Sequence, residues 1–279
     1  MTTRERVELV RDQGFCVVPD VIPESEIQGV RAGILKTADE QGETSYFAPS
    51  STVCIAGLIN YNQSFASYLV EPRLTELVIS LLDEHYRVSF TTALVNHPSQ
   101  ERGQWHADWP FLQHLGARIV QPYPDAVLHL TCLFMLSDFT PETGATLVLP
   151  KSHRRPFNPT GESGVDKFET KSDEKHATGS AGSVLVMDSR CWHAAAPNRS
   201  EEPRVAFAVR FAPWWLNLEV LRKDSFLHRR MVAAHDKPDG SVPPVPWTVY
   251  EKLPHSVKPL FHHWTEREIP VPGSSEDAC

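Results

Sequence analysis

The chain has 279 residues, 41% hydrophobic and 22% charged, with a formal charge of -8. That is ordinary globular composition with room for a sizeable core, and His153-Arg154-Arg155 is too short a basic run to track a phosphate backbone, which excludes nucleic acid as an expected partner. Five scattered cysteines, Cys16, Cys54, Cys132, Cys191 and Cys279, form no C-x-x-C pair and read as reduced thiols; no run approaches the ~20 apolar residues of a membrane span and the charged start lacks a signal core, so the expectation is a soluble cytoplasmic protein without a membrane partner.

Residues 3–13 place Val7, Leu9 and Val10 on a short helix, with Gly14 positioned to end it in a left-handed cap. "FCVVPDV" follows as a strand. From Glu24 to Asp39, Ile27, Val30, Ile34 and Leu35 recur at helical spacing, and Leu74, Leu77, Val78, Leu81 and Leu82 repeat the pattern. The first third is therefore expected to be mainly helical. From residue 86 the period changes: "YRVSFTTALVNHP", "AVLHLTCLFMLSD", "ATLVLP", "SVLVMD" and "RVAFAVRFAP" are short runs rich in β-branched and aromatic residues. Helices packed on one side of an antiparallel sandwich would bury both sets of apolar faces, an α+β arrangement. Two connections, 112–126 and 153–181, are long, polar and aperiodic, the character of lids over a site. Gly161, Gly164, Gly179 and Gly182 favour a mobile cover for the second; a packed loop anchored by Phe157, Val165 and Phe168 is the competing reading.

Within "QWHADWP", His106 and Asp108 are two positions apart, a spacing that puts both side chains on one face of a strand. Such a tripeptide is weak evidence by itself, since a polar strand end turning at Pro110 has the same look. His193, in a turn after "SVLVMD", is distant in sequence, as a third ligand gripping from across a sandwich would be. Two imidazoles and one carboxylate on one side of Fe(II) leave coordination positions open for a 2-oxoacid and O2; zinc accepts the same donors. Eleven residues after His193, Arg204 opens a strand whose even face carries Arg204, Ala206 and Ala208 and whose odd face carries Val205, Phe207, Val209 and Phe211. The bulky face suits a core. The small-residue face leaves room beside a guanidinium able to grip a carboxylate by two parallel hydrogen bonds.

With these residues in order, the sequence resembles the phytanoyl-CoA dioxygenase family of Fe(II)/2-oxoglutarate oxygenases, which includes the ectoine hydroxylases. "DQGFCVVPDVIPESEI" matches the family's opening pattern, His106-x-Asp108 its ligand motif, "SDFTPETGATLVLPKSH" (residues 137–153) its middle signature and "HAAAPNRSEEPR" its closing segment. The resemblance implies a double-stranded β-helix (jelly-roll, cupin-like) core with the N-terminal helices on one sheet. It divides a single domain into a helical part of about 1–85, a core of about 86–215 and a C-terminal extension of about 216–279. It implies Fe(II), 2-oxoglutarate and O2, with His106, Asp108 and His193 as ligands, Arg204 on the 2-oxoglutarate tail and the Thr131 hydroxyl on 2-oxoglutarate. The implied reaction is hydroxylation of a small organic molecule with release of succinate and CO2; same-fold desaturation or cyclisation, or a non-catalytic metal-binding β-sandwich, are the alternatives. A same-fold halogenase would replace Asp108 by a small residue. Thr143 and Lys151 stand where the family has Asn and Gly, and no basic cluster for coenzyme A is evident.

Trp109 and Phe111 are candidates for the substrate pocket, against a default of core packing that also covers Trp105 and Trp192. Trp214 and Trp215 are expected to be structural, and Arg210 a structural residue at the far end of its strand. His129, His153, His262 and His263 are read as non-ligands, and Asp138 and Asp188 as turn caps. The spacing says nothing about oligomeric state.

Overall fold

The computed structural model describes residues 1–42, 52–111, 126–159, 164–231 and 241–267. Helix α1 (Thr3–Gln13) starts with a capping box, in which the Thr2 hydroxyl accepts from the Glu5 N–H and the Glu5 carboxylate from the Thr2 N–H. Gly14 ends it at φ 93°, the left-handed cap expected. Strand β1 (Phe15–Val18), helix α2 (Glu24–Gln41), strand β2 (Thr52–Ala56) and helix α3 (Pro72–Leu82) follow. The Glu71 carboxylate caps α3 by accepting from the Leu74 N–H at 2.9 Å. Next come β3 (Arg87–Asn96), β4 (Leu130–Met135), β5 (Leu147–Val148), β6 (Lys175–His176), β7 (Val184–Asp188), β8 (His193–Ala194) and β9 (Arg204–Ala212). Short helices α4 (Phe226–Met231) and α5 (Trp247–Tyr250) lie in the C-terminal part.

The strands form a six-stranded sheet of order β1-β7-β4-β9-β3-β2 and a three-stranded sheet of order β6-β5-β8, with antiparallel pairing throughout both. This is the jelly-roll arrangement that the resemblance implied. Strand β2 was not anticipated; its five residues become an edge strand only by pairing with β3, from Thr52 opposite Asn96 to Ala56 opposite Thr92.

The two faces of β9 have the asymmetry read from its sequence. Val205, Phe207, Val209 and Phe211 enter the principal core with Ile34 of α2 and Leu74, Leu77 and Val78 of α3. There Phe207 stacks on Phe134 at 4.4 Å and meets Phe65 at 4.6 Å. Side chains of this size contribute roughly 1.5–3 kcal/mol each when fully buried, which fastens the helices to this side of the large sheet. Ala206 and Ala208 face a second cluster between the sheets, with Leu133, Met135, Leu185, Met187 and Val148.

Residues after β9 add to the principal core through Leu218, Leu221, Val245, Leu260, Phe261 and Trp264. Trp214 and Trp215 depart from their expected structural role, standing 59% and 53% exposed. Cys16, Cys54, Cys132 and Cys191 are buried thiols, and Cys279 lies outside the described residues. Among the described residues, no helix is long and apolar enough to cross a membrane.

Candidate metal centre

His106 and His193 are joined through their backbones as a single antiparallel bridge: the His106 N–H donates to the His193 carbonyl at 3.0 Å and the His193 N–H to the His106 carbonyl at 2.9 Å. Their neighbours Trp105 and Trp192 are fully buried on the outer side with Leu147, Leu149, Ala194 and Ala196. Alternation therefore turns the two imidazoles inward, ring centroids 4.1 Å apart. Asp108 is placed by its N–H, which donates to the Ser189 carbonyl at 2.8 Å. One ligand atom from each of His106, Asp108 and His193 falls within 4.8 Å of the other two, and His193 Nε2 lies 3.6 Å from Asp108 Oδ2.

Each imidazole is oriented by a carbonyl. His106 Nδ1 faces the Gln104 oxygen at 3.0 Å and His193 Nδ1 the Cys191 oxygen at 2.9 Å. Since a carbonyl only accepts, Nδ1 of each ring carries a proton, which leaves Nε2 as the atom to face a cation. Burial, reinforced by nearby His193, lowers the His106 pKa to about 4, so the ring is neutral near pH 7. Burial by itself would raise the Asp108 carboxyl. The Arg210 guanidinium outweighs it, helped by His193, His106 and the Thr131 hydroxyl, and holds Asp108 well below the usual carboxylate range. Two imidazoles and one ionised carboxylate are a fitting donor set for a divalent cation.

The interior face of β9 carries two arginines in opposite states. Arg204 is 3% exposed, its guanidinium 4.5 Å over the Phe139 ring, and its Nε and Nη1 are buried with no acceptor among the described residues. Burial lowers its pKa to about 10. The surface pairing with Glu201 or Glu202 that would make it merely structural is absent; Glu202 instead approaches Arg31, at 3.8 Å. A buried cation without acceptors is costly, and a carboxylate ligand would supply what Arg204 lacks. Arg210, by contrast, donates from Nη2 to Asp108 Oδ1 at 2.6 Å. Its expected role as a far-end structural residue is thus corrected: it grips a member of the cluster. The contact was invisible because it depends on the segment after β3 folding over the sheet, a juxtaposition that no local spacing encodes.

Thr131, on β4 opposite Arg210, donates to Asp108 Oδ2 at 2.7 Å and meets Ser189 Oγ at 2.8 Å. In this arrangement its one proton is committed to Asp108. Trp109 and Phe111 are buried in the principal core, Phe111 edge-on to the His129 ring at 5.0 Å. Asp188 does cap a turn, accepting from the Arg190 N–H at 2.8 Å, and Asp138 accepts from the Ala181 N–H at 2.9 Å. His153 donates to the Arg11 carbonyl at 3.0 Å; neither it, His129, His262 nor His263 joins the cluster.

Where it is described, the 153–181 connection is fastened down. Arg102 grips Glu174 through two hydrogen bonds of 2.9 and 2.8 Å, and Trp105 donates to Lys167 and Glu169 carbonyls at 2.7 and 2.9 Å. Phe157 and Val165 pack on the Trp105–Trp192 cluster, while Phe168 is 62% exposed. A wholesale swing of this cover would have to break those contacts. Gly161 and all but the last residue of 112–126 lie outside the described residues.

Fold and site together define a jelly-roll protein with an inward His-x-Asp…His cluster and a buried arginine whose Nε and Nη1 find no acceptor among the described residues. Residues 10–206 match the model of the phytanoyl-CoA dioxygenase (PhyH) family, and the chain belongs to that family. It is 25% identical over 209 residues to the "uncharacterized protein Rv1501" of Mycobacterium tuberculosis, covering 71% of each chain. It is also 25% identical over 213 residues to the "dioxygenase af480" of Aspergillus fumigatus, covering 73% of this chain and 65% of the relative. Among solved structures it is similar to HygX from Streptomyces hygroscopicus, crystallised with nickel, 2-oxoglutarate and hygromycin B (TM-score 0.61, 19% identity, 80% of this chain and 91% of HygX). It is also similar to SnoK, a non-heme alpha ketoglutarate dependent carbocyclase from nogalamycin biosynthesis (TM-score 0.58, 20% identity, 76% of this chain and 86% of SnoK). The epimerase SnoN from the same biosynthesis aligns with TM-score 0.60 at 18% identity, over 76% of this chain and 83% of SnoN. Family and fold place the chain in the class of iron- and 2-oxoglutarate-dependent oxygenases.

Proposed function

We propose that this chain uses Fe(II), 2-oxoglutarate and O2 to hydroxylate a small organic molecule. The observation that carries the reading is a conjunction between the two sheets: an ionised carboxylate and two imidazoles with ligand atoms within 4.8 Å, and, on β9 of the large sheet, a buried arginine whose Nε and Nη1 have no acceptor among the described residues. His106 and His193 would hold the metal through Nε2 and Asp108 through its carboxylate. When bound, iron and 2-oxoglutarate supply with O2 the oxidising chemistry, leaving succinate and CO2. Arg204 would receive the distal carboxylate of 2-oxoglutarate, as a planar fork suits a carboxylate. Ala206 and Ala208 are the small residues between Arg204 and Arg210 on that face of β9, and the Phe139 ring lies 4.5 Å beneath the Arg204 guanidinium. Trp109 and Phe111, on the turn that delivers Asp108, are proposed to bound the substrate side. Thr131 is proposed to serve Asp108 first, and 2-oxoglutarate only through it.

A second reading, cyclisation or epimerisation of a natural-product intermediate, is favoured by the similarity to SnoK and SnoN. The test is anaerobic reconstitution with Fe(II), addition of 2-oxoglutarate labelled at C1 and of O2, and measurement of labelled CO2 and succinate with a panel of polycyclic and aminoglycoside compounds. Release of both that requires Fe(II) and disappears in Asp108→Ala is expected. Product mass then separates the outcomes: gain of an oxygen atom for hydroxylation, loss of hydrogen for cyclisation, no change for epimerisation. Release that persists in Asp108→Ala at wild-type rate would overturn the assignment.

A further inference from the structure

A third imidazole lies behind the cluster, and the site as described does not use it. His129, just before β4, is 1% exposed. Burial, with the Arg210 guanidinium acting in the same sense, lowers its pKa to about 3, so the ring is neutral and one nitrogen carries a proton. Nε2 lies 2.6 Å from Ser89 Oγ and Nδ1 2.7 Å from Ser189 Oγ. Ser189 Oγ is 2.8 Å from Thr131 Oγ1, which is 2.7 Å from Asp108 Oδ2.

The last member of this chain sets the direction of all the others. An ionised carboxylate only accepts, so Thr131 donates to Asp108. Having spent its one proton, Thr131 accepts from Ser189, and Ser189 in turn accepts from His129 Nδ1–H. Nε2 is then the acceptor for the Ser89 hydroxyl. The other neutral tautomer would leave the Ser189 and Thr131 oxygens facing each other, lone pair to lone pair, at 2.8 Å. In a buried chain of this kind each donor polarises the next. The backbone locks the same parts together: the Ser189 carbonyl accepts from Asp108 and Trp109 at 2.8 and 3.1 Å, and the Ser189 N–H donates to the His129 carbonyl at 3.0 Å. Phe111, edge-on at 5.0 Å, fixes the plane of the imidazole.

We propose that His129, held as the Nδ1–H tautomer, is a positioning residue for Asp108: acting through Ser189 and Thr131 it holds Oδ2 in one orientation while Arg210 holds Oδ1. The carboxylate is thereby set before a cation arrives. This rests on the reading of Asp108 as a metal ligand. Partners that hydrogen-bond a ligand directly are worth about 10- to 100-fold in metal affinity, and His129 acts two bonds further back.

The test uses two amides that mimic different halves of the ring. His129→Asn places an N–H near the Nδ1 position and keeps the donor to Ser189; the Ser89 hydroxyl can then turn to the Arg210 carbonyl, 3.2 Å away, as its acceptor. His129→Gln places its amide near the Nε2 position and loses that donor. Titration with Fe(II) under anaerobic conditions is expected to show affinity about threefold to tenfold weaker in His129→Gln and in Ser189→Ala, and within about twofold of wild type in His129→Asn. A role confined to packing would weaken both amide variants alike, and that result would overturn the proposal. Nitrogen-15 histidine spectra of the metal-free wild type report the tautomer without any variant having to fold: an Nδ1–H signal for His129 is expected, and an Nε2–H signal would overturn the proposal. Failure of the wild type to bind Fe(II) would instead contradict the metal reading, leaving the tautomer to decide the chain of hydrogen bonds.

Discussion

Arg204 and Arg210 occupy the two ends of one strand, on one face, with the same chemistry. Arg210 has its carboxylate at 2.6 Å; Arg204, 3% exposed, has an aromatic ring beneath it and, among the described residues, no acceptor for Nε and Nη1. The paired guanidinium serves the protein's own His-Asp-His cluster and keeps Asp108 ionised. The other is a buried charge whose Nε and Nη1 find no acceptor among the described residues, and on the proposed function a carboxylate of 2-oxoglutarate would supply one. Since breaking a buried pair is costly and an unpaired buried charge is costly already, the same substitution at the two positions should move stability in opposite directions.

The largest effect comes from removing the group that Arg210 serves. Asp108→Ala is expected to reduce 2-oxoglutarate turnover to background and to weaken Fe(II) binding, measured by labelled CO2 release and anaerobic titration. It also leaves Arg210 unpaired, at a stability cost of about 1–3 kcal/mol because that side chain retains some access to water. Next, Arg204→Leu should raise the 2-oxoglutarate requirement about tenfold to hundredfold, since hydrogen bonds to charged groups are worth roughly 1.5–3 kcal/mol. In chemical denaturation of the ligand-free protein the same variant should be more stable than wild type, and Arg210→Leu less stable, each by about 1–3 kcal/mol. Both variants losing stability would break the comparison.

A last effect is on pH. The folded pKa of His129 is about 3 against an ordinary 6.5, so the unfolded chain takes up the proton first. The stability tied to the neutral ring is present in full above pH 6.5 and lost as pH falls from 6.5 toward 3. Its contribution to the slope is about 1.4 kcal/mol per pH unit. His129→Asn should flatten the acid limb of a stability-against-pH curve in that window; an unchanged slope would show that His129 is not buried neutral.

Much of the fold was legible because it rests on local signals. The Gly14 cap, the helical periods of α2 and α3 and the big-and-small faces of β9 all follow from side chains whose spacing is regular. His106, Asp108 and His193 were legible through order and spacing, although each taken singly was weak. What escaped was set by tertiary register: the Arg210 grip on Asp108, the polar chain through Ser189 and the pairing that makes Thr52–Ala56 a strand. Lys151 shows the converse. It stands where the family has Gly, and the structure holds it at φ 63°, a left-handed conformation that costs a side-chain-bearing residue about 1 kcal/mol.

The most direct measurement is calorimetry of 2-oxoglutarate binding, in the absence of O2, to the wild type, Arg204→Leu and Arg210→Leu, each with and without saturating Fe(II). Tight binding that requires the metal, falls about tenfold to hundredfold in Arg204→Leu and is largely retained in Arg210→Leu is the predicted result. Binding of equal strength without metal, or an affinity untouched by Arg204→Leu, would contradict the account.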